Sequence, residues 1–179
     1  MNKIFAVLGG ALLAGVVIAS GSTAHAAEPA TAPAPYPFVM PTGSMEQTIH
    51  KGQTVMAQPV TNYAGRVGDI VLFHGPPSWQ SVPGDQPEVL KRVIAVGGQT
   101  VRCCDPTGRV LVDGRPLDEP YLHYLPEAGP PNQASFAPVR VPPGMLWMMG
   151  DSRNNSADSR TPGHGSVPAK SITAIVRAG

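Results

Sequence analysis

Twenty-one prolines and twenty glycines among 179 residues limit what this chain can build. Each proline removes a backbone donor and fixes φ, and glycine raises the cost of ordering the backbone, so turns and short strands are favoured over long helices. The apolar runs agree. Gln53 to Gln58 reads as a short strand, and Ile70-Val71-Leu72-Phe73, apolar throughout, as a buried one. Val89 to Val96 is β-branched and strand-like, Gln99 begins another strand, and Met145 to Met149 forms a further apolar run. Asp113-Gly114, flanked by Arg109–Val112 and Arg115–Leu117, is the signature of a type I′ hairpin. Residues 75–88, with Pro76-Pro77 and Pro83-Gly84, read as a loop, whose Trp79 either folds back on its own domain or faces a membrane. Residues 118–138 read as irregular and are assigned no function. The length suits one domain with a core and little more.

Charge and cysteine usage narrow the class. Thirteen Lys and Arg nearly balance twelve Asp and Glu, and no basic stripe is present to neutralise phosphates, so nucleic acid is not an expected partner. The two cysteines, Cys103-Cys104, are adjacent and close no ordinary loop; a strained vicinal disulfide and free thiols are both open. At the N-terminus, Lys3 precedes an apolar run from Ile4 to Ala19, followed by small residues that include Ala24-His25-Ala26. This pattern fits a secretory signal cut after Ala26. It also fits an uncleaved anchor, although the run is slightly short of the roughly 17–25 residues that span a bilayer. Either way the rest of the chain is exported. Residues 1–27 are therefore read as a signal-like segment or anchor, 28–37 as a Pro/Ala-rich extended linker, and 38–179 as the folded domain.

Three stretches carry candidate chemistry. In Met40-Pro41-Thr42-Gly43-Ser44-Met45, a hydroxyl follows a stiff glycine-containing turn, which suits a nucleophile and equally suits an ordinary turn serine. In the strand from Val89, period-2 alternation puts Val89, Lys91, Val93 and Ala95 on one face and Leu90, Arg92, Ile94 and Val96 on the other. One of the adjacent cations must then face aliphatic side chains. A lysine so placed loses charge as its pKa falls from about 10.4, and a neutral lysine is a competent general base. On an edge strand the same lysine would instead snorkel to water. The third stretch, Gly150 to Arg160, alternates Asp and Arg among short polar side chains and would hold its shape by charge-assisted contacts. The five histidines are scattered without metal-ligand spacing, so neither metal nor cofactor is expected. A Ser-His-Asp triad would draw its base from His74 or His164.

Taken together, Pro41-Thr42-Gly43-Ser44-Met45, Gly68-Asp69-Ile70-Val71-Leu72-Phe73, Lys91-Arg92-Val93-Ile94 and Gly150 to Arg160 resemble, in order and spacing, the motifs of the type I signal peptidases. The cysteine pair and proline-rich style are similar to actinobacterial members. The resemblance, from about Phe38 to Pro168, implies a mainly β fold of coiled antiparallel sheets preceded by one apolar N-terminal helix. It also implies a membrane-bound serine endopeptidase acting at the outer face of the cytoplasmic membrane. Ser44 would be the nucleophile and Lys91 the general base. Thr42 and the Ser44 N–H would bind the oxyanion, and Ser156 would hydrogen-bond Lys91. Asp151, Arg153, Asp158 and Arg160 would brace the site, with Arg92 partnering one carboxylate. Preproteins cut after Ala-x-Ala would bind as an added β-strand, and the chain's own Ala24-His25-Ala26 is a candidate substrate. Membrane lipid and the secretion machinery are the other partners implied. The sequence departs from the motifs at Thr42 (commonly Ser), Gln47 (commonly Pro) and Ser152 (commonly Asn), none of which removes a reactive group. A serine/lysine protease of narrower task and an inactive secreted binding module are the competing readings.

Overall fold

The computed structural model describes residues 33–79 and 88–177. The expected N-terminal helix, the signal-or-anchor segment and most of the proline-rich linker lie outside the described residues. Eleven strands are described: β1 Tyr36–Val39, β2 Thr54–Pro59, β3 Ile70–His74, β4 Glu88–Val96, β5 Thr100–Cys103, β6 Val110–Val112, β7 Arg115–Pro116, β8 Phe136–Arg140, β9 Met145–Met149, β10 Val167–Pro168 and β11 Ile172–Val176. Seven of them form one antiparallel sheet in the order β1-β2-β11-β3-β4-β9-β10. The other four form a second antiparallel sheet in the order β7-β6-β5-β8. The only helical turns among the described residues are three short 3-10 segments, at Pro77–Trp79, Pro126–Ala128 and Ala169–Ser171. The proline and glycine content thus has its expected effect.

The position of β4 decides the environment of the two cations. It runs between β3 and β9 in the interior of the larger sheet, with Val71 opposite Lys91 and Ile70 opposite Arg92. An edge-strand lysine reaching water is therefore ruled out: Lys91 and Arg92 are both buried. Alternation holds from Val89 to Val93 and then fails. The register against β9 slips between Val93 and Ala95. Ile94 and Ala95 both enter the cluster around Trp147, and Val96 returns to the side of Val89 and Val93. A single bulge residue is enough to invert the faces beyond it.

Among the described residues the core lies in three clusters. Phe38, Met40, Met45, Ile49, Leu72 and Leu90 fill one, which anchors both ends of the Met40–Met45 turn. Val71, Phe73, Val89, Val93 and Trp79 form the second, and the third joins the two sheets through Trp147, Val101 and Val112. Trp79 is buried against Phe73 and stacks on His164, so it folds back on its own domain. Asp113 and Gly114 both take positive φ, at 50° and 78°, as the type I′ hairpin requires. Two expectations need correction. Strand β1 begins at Tyr36, two residues inside the expected linker, because Tyr36 and Pro37 pair with Ala57 and Met56. Strand β8 begins at Phe136, within the stretch read as irregular, where Phe136 stacks on Trp147. Cys103 and Cys104 are joined as a vicinal disulfide.

Candidate active site

The Met40–Met45 turn is clamped by its own backbone. Met40 N donates to Gln53 O at 2.9 Å, Gly52 N to Met40 O at 2.8 Å and Ile49 N to Met45 O at 2.9 Å. Ser152 N donates to Ser44 O at 3.1 Å, tying this turn to the polar loop after β9. Gly150 is the contact point: a Cβ there would overlap Ser44 O and the Ser156 side chain, so only glycine lets the two segments close.

On that support Ser44 Oγ has two partners. Lys91 Nζ lies 2.6 Å away, and the Thr42 hydroxyl donates to Ser44 Oγ at 3.1 Å. Neither His74 nor His164 hydrogen-bonds Ser44, and the His164 ring is spent on Trp79. Lys91 is only 4% exposed, and among the described residues no carboxylate comes within salt-bridge distance of it. Burial pushes its pKa down to about 8; the Asp158 and Asp151 charges pull it upward, and Arg160 pushes it further down.

Those carboxylates are already committed. Asp151 accepts from Arg92 Nε at 2.8 Å and Nη2 at 2.6 Å, and also from the Thr48 hydroxyl. Asp158 accepts from Arg160 Nε at 2.8 Å and Nη2 at 2.7 Å, and from Gly150 N at 3.1 Å. Burial alone would raise the Asp158 carboxyl, but its bonds to Arg160 outweigh that and hold it below the usual range. Each pair is a bidentate fork that consumes one arginine and one carboxylate. Lys91 is left near two negative charges but bonded to neither.

Arg153 finds its partner outside the loop. Its guanidinium pairs with Glu119, and its Nε donates to Gly150 O at 3.0 Å. Tyr121 lies under Arg92, with the guanidinium carbon 3.8 Å from the ring centre. His123 N donates to Asp151 O at 3.0 Å, and Arg153 N to His123 O at 2.9 Å. Sequence reasoning missed Glu119, Tyr121 and Thr48. The one usable signal was arithmetic: three arginines around the site need three carboxylates, and the loop supplies two. Ser156 departs from expectation. Its Oγ is buried over Gly150 without a hydrogen-bond partner among the described residues, and the expected bond to Lys91 is not formed.

A cleft of about 150 Å³ opens beside Ser44 and Lys91, with mostly apolar walls that include Met40, Val89, Leu90 and Ala157. A hydroxyl bonded to an amine whose pKa is lowered by burial, next to a small apolar cleft and a second hydroxyl, is equipped for nucleophilic attack on a carbonyl.

Residues 14–178 match the family described as signal peptidase, peptidase S26. The chain is 39% identical over 160 residues to signal peptidase I of Mycobacterium tuberculosis (strain ATCC 25618 / H37Rv), covering 69% of this chain and 54% of that protein. It is 38% identical over 139 residues to a probable signal peptidase I-1 of Synechocystis, covering 76% and 66%. Signal peptidase I of Enterococcus faecalis V583, a solved structure, aligns with a TM-score of 0.49 at 27% identity, covering 63% of this chain and 97% of that one. The chain belongs to the signal peptidase family, peptidase S26. It spans about half the length of the mycobacterial relatives it matches.

Proposed function

We propose that the chain is a serine endopeptidase that removes signal peptides from exported preproteins after Ala-x-Ala-type sites, working at the outer face of the cytoplasmic membrane. The observation that carries this reading is Lys91 Nζ at 2.6 Å from Ser44 Oγ, buried and without a carboxylate partner among the described residues. With a pKa of about 8, roughly a tenth of Lys91 is neutral at pH 7, and that fraction takes the Ser44 proton as Oγ attacks the scissile carbonyl. The developing oxyanion is held by Ser44 N–H and by the Thr42 hydroxyl, which turns from Ser44 Oγ to the new charge. Protonated Lys91 then gives its proton to the leaving amine, which departs as the mature protein. Water attacks the acyl-Ser44 ester, Lys91 takes the water's proton, and the peptide leaves as a carboxylate with Ser44 restored. Arg92–Asp151, Arg160–Asp158 and Arg153–Glu119 act as positioning pairs. They fix the loop and withhold carboxylates from Lys91. Ser156 supports the site by packing over Gly150. The small apolar cleft suits the alanine side chains before the cut, with the substrate entering as an extended strand along it.

The test is cleavage of several signal-peptide-bearing preproteins by the full chain in detergent micelles or membranes, beside Ser44→Ala and Lys91→Ala. Cutting after Ala-x-Ala by the parent alone supports the reading. Activity retained in Lys91→Ala overturns the lysine as base. A folded parent that cuts one preprotein only, or none, favours the specialised protease or the binding module.

A further inference from the structure

A second cleft, of about 480 Å³, lies on the other side of the nucleophile turn and differs in chemistry. It shares Pro41, Thr42 and Asn155 with the apolar cleft, so the two adjoin at the turn. Its floor is Gly43. A Cβ there would come within 3.1 Å of both Asn155 Nδ2 and Leu125 Cδ1, so a side chain would crowd this floor. Its charged residues are Glu46, Glu127 and Lys51. The Glu46 carboxylate is held ionised: burial would raise it, but the Lys51 N–H, which donates at 3.0 Å, and His50 and His123 pull it below the usual range. Glu127 is exposed, yet its segment is fastened to the polar loop. Asn154 Nδ2 donates to Leu125 O at 2.8 Å and to Gly129 O at 3.0 Å, while Leu125 N donates to Asn154 Oδ1 at 2.9 Å. The loop that completes the site therefore also fixes where Glu127 stands.

Resting on the peptidase reading above, we infer that this acidic cleft receives the residues after the scissile bond and selects against acidic side chains there, with Glu127 as the specificity-determining residue. An extended peptide with its small residues in the apolar cleft and its carbonyl at Ser44 continues over Gly43 into the second cleft. There a cationic side chain meets the carboxylates of Glu127 and of Glu46, the latter bonded to His50, against Lys51, and an acidic one meets their repulsion. Glu28, second after a cut at Ala26, would make the chain's own site a slow substrate. The site is solvent-accessible, so screening keeps each effect to about threefold in kcat/KM, and a Lys-to-Glu exchange in the substrate spans about tenfold.

The experiment uses quenched-fluorescence peptides that share one Ala-x-Ala segment and carry Lys, Gln or Glu at the second position after the cut. Values of kcat/KM are compared for the full-length parent, Glu127→Gln, Glu127→Lys and Lys51→Gln in detergent micelles. The Lys-to-Glu ratio is expected near tenfold in the parent, smaller in Glu127→Gln, inverted in Glu127→Lys and larger in Lys51→Gln. The opposite sign for Lys51→Gln separates a charge effect from damage to the fold. A ratio near one in the parent, or the same ratio in all four proteins, overturns the inference while leaving the peptidase reading standing. Cleavage of none of the peptides by the parent overturns both.

Discussion

Lys91→Met should abolish cleavage and make the protein more stable at neutral pH. The folded-state pKa of about 8 lies below the unfolded value of 10.5, so between those values the folded protein binds fewer protons and stability rises with pH. Relative to a permanently neutral side chain, Lys91 costs about 3 kcal/mol at pH 7, about 2 kcal/mol at pH 9 and only about half a kcal/mol at pH 10.5. Methionine matches its length without the charge, and repacking of this kind costs less than about 1.5 kcal/mol. Ser44 Oγ keeps its bond from Thr42. With a urea slope of roughly 2 kcal/mol per molar, the unfolding midpoint of Lys91→Met should lie about 1 M above the parent's at pH 7, and the gap should close by pH 10.5. In the parent, the cleavage rate should rise about tenfold from pH 7 to pH 9 as the neutral fraction grows through about 8. A parent more stable than Lys91→Met at pH 7, or a gap that does not change with pH, would refute the buried, uncompensated lysine on which the mechanism depends.

Thr42→Val, which keeps the methyl and removes the hydroxyl, should lower kcat about 100-fold or more with little change in KM, while Thr42→Ser restores the rate. Gly150→Ala should cost about 1–3 kcal/mol and most of the activity, measured by urea unfolding and peptide cleavage, because its methyl overlaps Ser44 O and Ser156. Glu119→Ala strands the buried Arg153 charge and should destabilise by about 3–5 kcal/mol in the same unfolding assay. Arg160→Gln frees Asp158 toward Lys91, so the midpoint of the pH–rate profile should move above the parent's; an unchanged midpoint would reduce Arg160 to a structural role.

The strands and the hairpin were legible because each rests on neighbours in the chain: apolar runs for β3 and β9, and Asp113-Gly114 for the tight turn. The candidate side chains were legible as types in order, from Thr42 and Ser44 through Lys91 to the loop ending at Arg160. Partnerships across long sequence distances were not. Nothing local marks Glu119 as the partner of Arg153 or Tyr121 as the surface under Arg92, because residues 118–138 have no periodicity and their role comes from where the folded loop lands. The β4 bulge was equally hidden: Val93-Ile94-Ala95 alternates well on paper, and the slip is set by β9 packing Trp147 into the junction between the sheets.

Neighbouring cations on one strand thus meet opposite fates for a physical reason. The planar fork of Arg92 fits Asp151 with two short bonds, so the carboxylate is better satisfied there than by an ammonium. Asp158 is claimed in the same way by Arg160. Had either carboxylate lacked its arginine, Lys91 would have been a cation near enough to feel its charge. The lysine would then have become a stable ion-pair partner with its pKa back in the ordinary range, stabilising the fold and useless as a base near neutral pH. The buried pairs are weak evidence for stability in themselves. They matter because they leave Lys91, among the described residues, with Ser44 as its partner, and burial beside a hydroxyl pushes the amine toward its neutral form.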